Sequence, residues 1–180
     1  RRVLFRSDRR QDDRRDVQVA DRMKVVLGAR VHQRAIVEGG LACRRGLAAV
    51  EQHVAAAGHS CGGLQALWAG LHEPRIDTII LGNSGTIEPP VLAIDVSRTQ
   101  TATLARPALY LIGGPTDIAY KNAEDDFAVL TKSLVVKANR EVGHGGTYQE
   151  KNGGEFARAA VAWLDWQLKG SREAGALFTG

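Results

Sequence analysis

"VAAAGHSCGGLQAL", residues Val54 to Leu67, decides how this chain is read. Its first half is a short run of small apolar residues, a strand cue, and from about Gly62 to His72 the pattern turns helical. Between the two stands Ser60, with Gly58 two residues before it and Gly62 two residues after. A sharp strand-to-helix turn of this composition holds a serine hydroxyl out into solvent. Taken alone, Ser60 reads equally as a small residue in a tight turn. Three fixed positions in five recur by chance in a chain with 20 glycines, so the motif gains meaning only from partner residues further along the chain.

Working outward, short apolar runs alternate with amphipathic stretches from Val50 onward, the pattern of parallel strands joined by helical crossovers. Strands are predicted at "HVAAAG" (His53–Gly58), around Thr78–Leu81, at Ala108–Ile112 after Pro107, and in "LVVKANREVG" from Leu134. Helices are predicted in "NAEDDFAVLTKS", with Phe127, Leu130 and Leu134 on one buried face, and in "GGEFARAAVAWLDWQLKG". In the latter Phe156, Ala159, Ala160, Trp163, Leu164 and Gln167 share a face and Gly170 ends the helix. The fold class is therefore α/β, a mostly parallel sheet with flanking helices. Ligands of such sheets sit at the carboxyl ends of the strands.

Three residues meet that positional test. Ser60 follows the first strand, Asp117 in "GGPTDIAY" the third, and His144 in "VGHGGTY" the fourth. A serine hydroxyl is a weak nucleophile until an imidazole takes its proton, and the imidazole needs a carboxylate to fix its tautomer. In this order of nucleophile, acid and histidine the chain resembles the α/β-hydrolase fold family over about Val50 to Gly170. "AVAWLDWQLKG" is similar, more loosely, to the closing helix of dienelactone-hydrolase-like and polyester-degrading members. The resemblance implies a serine hydrolase that cleaves carboxylic esters through an acyl-enzyme, on a small-molecule or polymeric substrate and without a cofactor. It also implies that the backbone N–H of Cys61 supplies one half of an oxyanion hole, and that the loop after an earlier strand supplies the other half.

Members of that family have four further strands before the nucleophile strand, and residues 1–50 offer at most one, in "MKVVLGARV" (Met23–Val31). The expectation is a chain that holds the C-terminal half of the fold, truncated at its N-terminus. Its alternative is a catalytically incomplete fragment lacking a full oxyanion hole. The opening "RRVLFRS" matches the translation of AGA CGT GTG CTC TTC CGA TCT, which resembles the end of a sequencing adapter and suggests an open reading frame from assembled environmental DNA. "DRRQDDRRDVQVADR" after it reads as a frame error or as a solvated basic tail. Residues 1–50 are accordingly expected to be non-native or poorly packed, and residues 51–180 to form the catalytic region.

Charge supports that division. Residues 1–50 hold 13 Lys+Arg against 6 Asp+Glu, a net of +7, so the other 130 carry −3 of the overall +4. A nucleic-acid module would need those cations on one face with aromatics beside them, and Phe5 is the lone aromatic there. No apolar run approaches the roughly 18 residues of a membrane span. Cys43 and Cys61 make no disulfide framework and argue neither for nor against an oxidising compartment. No His/Cys/Asp/Glu cluster has metal-ligand spacing.

Competing residues are weighed by position. Centring the turn on Cys61 puts His59 where the first glycine belongs. Among the histidines, His53 lies at the wrong end of its strand, His59 is expected to point away from Ser60, His72 ends a helix, and His32 sits in the doubtful segment. Asp95 is the rival acid, one strand earlier, whereas Asp125 and Asp126 read as solvated helix residues. "GNSG" (Gly82–Gly85) is expected to turn the chain near the site. Only Thr86 to Arg106 remains to cover it, which implies a shallow, open pocket with Tyr120 and Tyr148 as its aromatic walls.

Overall fold

The computed structural model describes residues 53–90 and 94–179, together with the strands at 2–6 and 24–27. In chain order the elements are β1 (Arg2–Arg6), β2 (Lys24–Leu27), β3 (Val54–His59), α1 (Cys61–His72), β4 (Ile76–Gly82), α2 (Arg98–Thr101), β5 (Ala108–Ile112), α3 (Tyr120–Val129), β6 (Val135–Asn139), α4 (Gly154–Lys169) and α5 (Arg172–Thr179). All strand pairings are parallel, in the order β1-β6-β5-β4-β3-β2.

The period-two alternation of strand side chains divides the core into two layers. Ala56, Ile79, Leu81, Tyr110 and Ile112 face one side, where Leu64 and Leu67 of α1 and Phe127 of α3 cover them. Ala55, Ala57, Ile80, Leu109, Leu111 and Val136 face the other, under Phe156, Trp163, Leu164 and Leu168 of α4 and Phe178 of α5. Burying strands on both faces removes alternation from their sequence, which is why they read as continuous apolar runs. Trp163 is fully buried, and its indole N–H donates to Thr78 Oγ1 at 2.8 Å, tying α4 to β4.

The predicted elements recur with shifted ends. Gly170 takes the left-handed conformation (φ 70°) that stops α4. Helix α3 ends at Val129, so Leu134 does not share its face and packs instead in the opposite layer. Helix α5 has no counterpart among the predicted elements; Phe178 anchors it, edge-on to Trp163 and stacked on Trp166. The strand suggested within Met23–Val31 is β2, beside β3. Strand β1 falls in the opening residues, for which the sequence predicts no element, and pairs with β6 at the far edge. How the side chains of residues 1–50 pack, the point of the expectation for that segment, lies outside the described residues, as do His32 and Cys43.

Asp126 is not a solvated helix residue. It is fully buried, and one carboxylate oxygen accepts from Thr86 N–H (2.8 Å) and Tyr110 O–H (3.2 Å), with Arg98 Nε 3.5 Å from the other. Burial pushes its carboxyl above the usual carboxylate range, opposed by the Thr86 bonds and the Arg98 charge. This buried knot pins the 86–106 connection to α3 and β5. Within the connection a reciprocal pair of bonds starts α2, Gln100 N–H to Ser97 Oγ and Ser97 N–H to Gln100 Oε1.

Candidate active site

Ser60 follows β3 with φ 54° and ψ −121°, a conformation L-residues rarely adopt and one that persists only where neighbours over-determine it. Here its own N–H donates to Gly82 O (2.9 Å), and its carbonyl accepts from Gly63 N–H, Leu64 N–H and Ser84 Oγ (2.9, 3.3 and 2.8 Å). The turn is too tight for side chains. A Cβ on Gly58 would lie 2.1 Å from Gly62 O, and one on Gly63 would lie 2.4 Å from Ser84 Cβ.

Asp117 follows β5 and His144 follows β6, so the parallel sheet delivers both to the edge where Ser60 stands. His144 Nε2 is 3.0 Å from Ser60 Oγ, and its Nδ1 is 2.7 Å from Asp117 Oδ1. A carboxylate only accepts, so Nδ1 carries the proton and the Nε2 lone pair faces the serine hydroxyl. The Asp117 side chain is fully buried, whereas that of His144 is 29% exposed. Besides His144, Asp117 accepts from Ala119 N–H (2.9 Å), Gly113 N–H (3.1 Å) and Asn83 Nδ2 (2.7 Å). Burial alone would raise its pKa, but these donors together outweigh it and hold the carboxyl below its ordinary value.

Asn83, which sequence reading does not single out, links the two loops. Its Nδ2 donates to Asp117 Oδ2 and to Gly143 O (3.1 Å), one residue before the histidine. Its backbone sits at φ 47°, which Asn tolerates better than most residues. The "GNSG" stretch thus turns the chain and also supports the site, through Asn83 on the acid and Ser84 on the elbow.

The rival residues lie elsewhere. Asp95 is exposed in the 86–106 connection and makes no hydrogen bond to His144. Asp125 pairs with Lys121 at 2.7 Å. His53 lies 3.6 Å from Asp77, and His72 bonds the Trp68 carbonyl within α1. His59 reaches the loop that carries the histidine, its Nε2 lying 2.8 Å from His144 O.

A cavity of about 90 Å³ opens over the serine, lined by Ser60, His144 and Cys61 with Leu64, Ile87 and Ile118 among its apolar walls. Cys61 is a free, exposed thiol, and its N–H, the first of α1, has no carbonyl one turn behind it to bond. Neither Tyr120 nor Tyr148 lines this cavity. Tyr120 packs against the core, and Tyr148 stands edge-on to His59 and Phe156 with its hydroxyl over Gly82. Burial, and then the Asp117 charge, push the Tyr148 phenol up to about 12. Among the described residues no group of three His/Cys/Asp/Glu is placed to hold a metal, and no helix is long and apolar enough to cross a membrane.

No family model matches the chain, and no curated protein matches it by sequence. Solved structures do. An esterase of Pyrococcus furiosus aligns over 72% of this chain and 59% of its own, with TM-score 0.59 and 13% identity. The acylaminoacyl peptidase of Pyrococcus horikoshii aligns over 74% of this chain and 27% of its own, with TM-score 0.58 and 15% identity. The esterase domain of a Rhodothermus marinus protein aligns over 71% and 67%, with TM-score 0.51 and 18% identity. The chain thus spans less than two thirds of the first two proteins. At these identities the likeness is one of architecture, and it shows that this chain has the α/β-hydrolase fold.

Proposed function

We propose that the chain is a serine hydrolase acting on carboxylic esters, with residues 51–180 as its catalytic region. The observation that carries this reading is the unbroken line of hydrogen bonds from buried Asp117 through His144 to Ser60 at the floor of an open cavity. Ser60 Oγ attacks the acyl carbon while His144 Nε2 takes its proton, and Asp117 holds the resulting imidazolium in place. The carbonyl oxygen, now negative, is met by the Cys61 N–H at the helix N-terminus. His144 then protonates the leaving alcohol, giving an acyl-Ser60 ester. Water, deprotonated by the same imidazole, releases the acid and restores the hydroxyl. Leu64, Ile87 and Ile118 offer an apolar acyl group contacts worth roughly 1–3 kcal/mol each. These favour esters with apolar acyl chains without fixing one.

A second reading, a fragment that acylates poorly or not at all, rests on the oxyanion hole. Strand β2 borders β3, and the residues from Gly28 onward, where a second donor would arise, lie outside the described residues. A fluorophosphonate probe on the full chain, followed by peptide mapping, tests the first reading. Modification of Ser60 alone, abolished in Ser60→Ala, is expected; modification elsewhere, or unchanged in the variant, overturns it. Labelled protein that fails to turn over p-nitrophenyl acetate would favour the fragment.

A further inference from the structure

We infer that His59, the residue before the nucleophile, is a positioning residue that sets the angle of the general base; this rests on the proposed serine-hydrolase function. The Ser60–His144 bond is made between the end of β3 and a loop after β6, two segments 84 positions apart. His59 supplies a second tie between the same segments. Its Nε2 lies 2.8 Å from the His144 carbonyl oxygen. A carbonyl only accepts, so Nε2 carries the proton, in the neutral ring as in the charged one.

The rings of His59 and His144 lie 5.1 Å apart, and on its other side His59 meets the edge of Tyr148 at 5.0 Å. Tyr148 is itself fixed, its hydroxyl occupying the space a Cβ on Gly82 would need. The base is thus held at its carbonyl by His59 and at its Nδ1 by Asp117, while the preceding carbonyl, Gly143 O, is held by Asn83. Of these ties only the one from His59 starts on the strand that carries the nucleophile. Removing it leaves the imidazole bonded to Asp117 but free to rock about that bond, which lengthens the approach to Ser60 Oγ.

Two variants separate the hydrogen bond from ring packing. His59→Phe keeps an aromatic edge for Tyr148 and deletes the donor; in His59→Gln the amide nitrogen stands as many bonds from Cβ as Nε2 does and restores it. His59 is exposed, and His59→Ala replaces His59→Phe should that variant fail to fold. The first readout needs no activity: the low-field proton resonance of the His144–Asp117 bond. It should shift or broaden in His59→Phe and return in His59→Gln. The second is the rate of fluorophosphonate labelling of Ser60, expected to fall roughly 3- to 10-fold in His59→Phe, the range for loss of one hydrogen bond, and to recover to within about 2-fold in His59→Gln. An unchanged resonance with unchanged labelling in His59→Phe overturns the inference, as does a defect that His59→Gln shares. Wild-type protein that takes no label overturns the proposed function instead, and the resonance then decides the role of His59 alone.

Discussion

Replacing Asn83 by glycine tests how the acid is held, because glycine removes the side chain while accepting the positive φ of 47° that alanine would strain. The deleted bonds are the 2.7 Å donation from Nδ2 to buried Asp117 Oδ2, leaving that oxygen only the Gly113 N–H at 3.1 Å, and the 3.1 Å donation to Gly143 O. A hydrogen bond to a buried charge is worth about 1.5–3 kcal/mol. The added backbone freedom of glycine costs about 0.5–1 kcal/mol, and relief from the left-handed conformation roughly offsets it. With the neutral bond to Gly143 O worth about 0.5–1.5 kcal/mol more, unfolding should therefore become about 2–4.5 kcal/mol easier at pH 7. The sign of the pH dependence comes from the depressed pKa of Asp117. Its ionised form stabilises the folded state above the unfolded pKa of about 3.9, and that contribution is lost as pH falls through the lower folded value. Once Asp117 is protonated in both proteins, only neutral hydrogen bonds of about 0.5–1.5 kcal/mol each, to Asp117 and to Gly143 O, separate them. Urea denaturation followed by tryptophan fluorescence at pH 7 and at successive pH values falling below about 4 measures both. A penalty below about 0.5 kcal/mol at pH 7, or one that does not shrink as pH falls through the acid range, would refute this account of Asn83.

Two further outcomes rest on the placement of the carboxylates. Asp117→Asn should cut Ser60 reactivity by a factor on the order of 10⁴, whereas Asp95→Asn, exposed and unconnected to His144, should leave it unchanged; labelling rates decide, and a larger loss in Asp95→Asn would reassign the acid. Asp126→Asn keeps an acceptor for Thr86 N–H and Tyr110 O–H, so its stability at pH 7 should lie within about 1 kcal/mol of wild type, while Asp126→Ala, which orphans both donors, should lose about 2–4 kcal/mol in thermal or urea unfolding.

The proposed reacting groups are legible because a parallel sheet turns chain order into spatial order. Each of Ser60, Asp117 and His144 follows a strand, and since all those strands point one way, knowing that a residue ends a strand places it on the same edge. The elbow is legible for a local reason. Gly58, one of the two glycines that mark the turn in the sequence, leaves no room for a Cβ, and a steric requirement of that kind is written in residue identity itself. The two-layer core is equally open to reading, as apolar runs bounded by turn residues.

What escapes the sequence is set by contacts between loops. Asn83 supports the acid from 34 positions away, and nothing in "GNSG" distinguishes an asparagine aimed at a buried carboxylate from one that caps a turn. Asp126 fails for the opposite reason. Beside Asp125 on a polar helix it looks solvated, but helical periodicity puts neighbours about 100° apart, so one of two adjacent aspartates meets Lys121 at the surface while the other turns inward to Thr86 and Tyr110. Strand alternation relative to Ser60 aims His59 away from the nucleophile, and alternation says nothing of which loop crosses the face it aims at. Ser60 leaves the β region, but His59 is still paired in β3 and shares the face of Ala55 and Ala57, beside Tyr148 and Phe156, where the loop carrying His144 crosses over it. Strand periodicity locates residues up to the point where the backbone becomes special, and the site begins there.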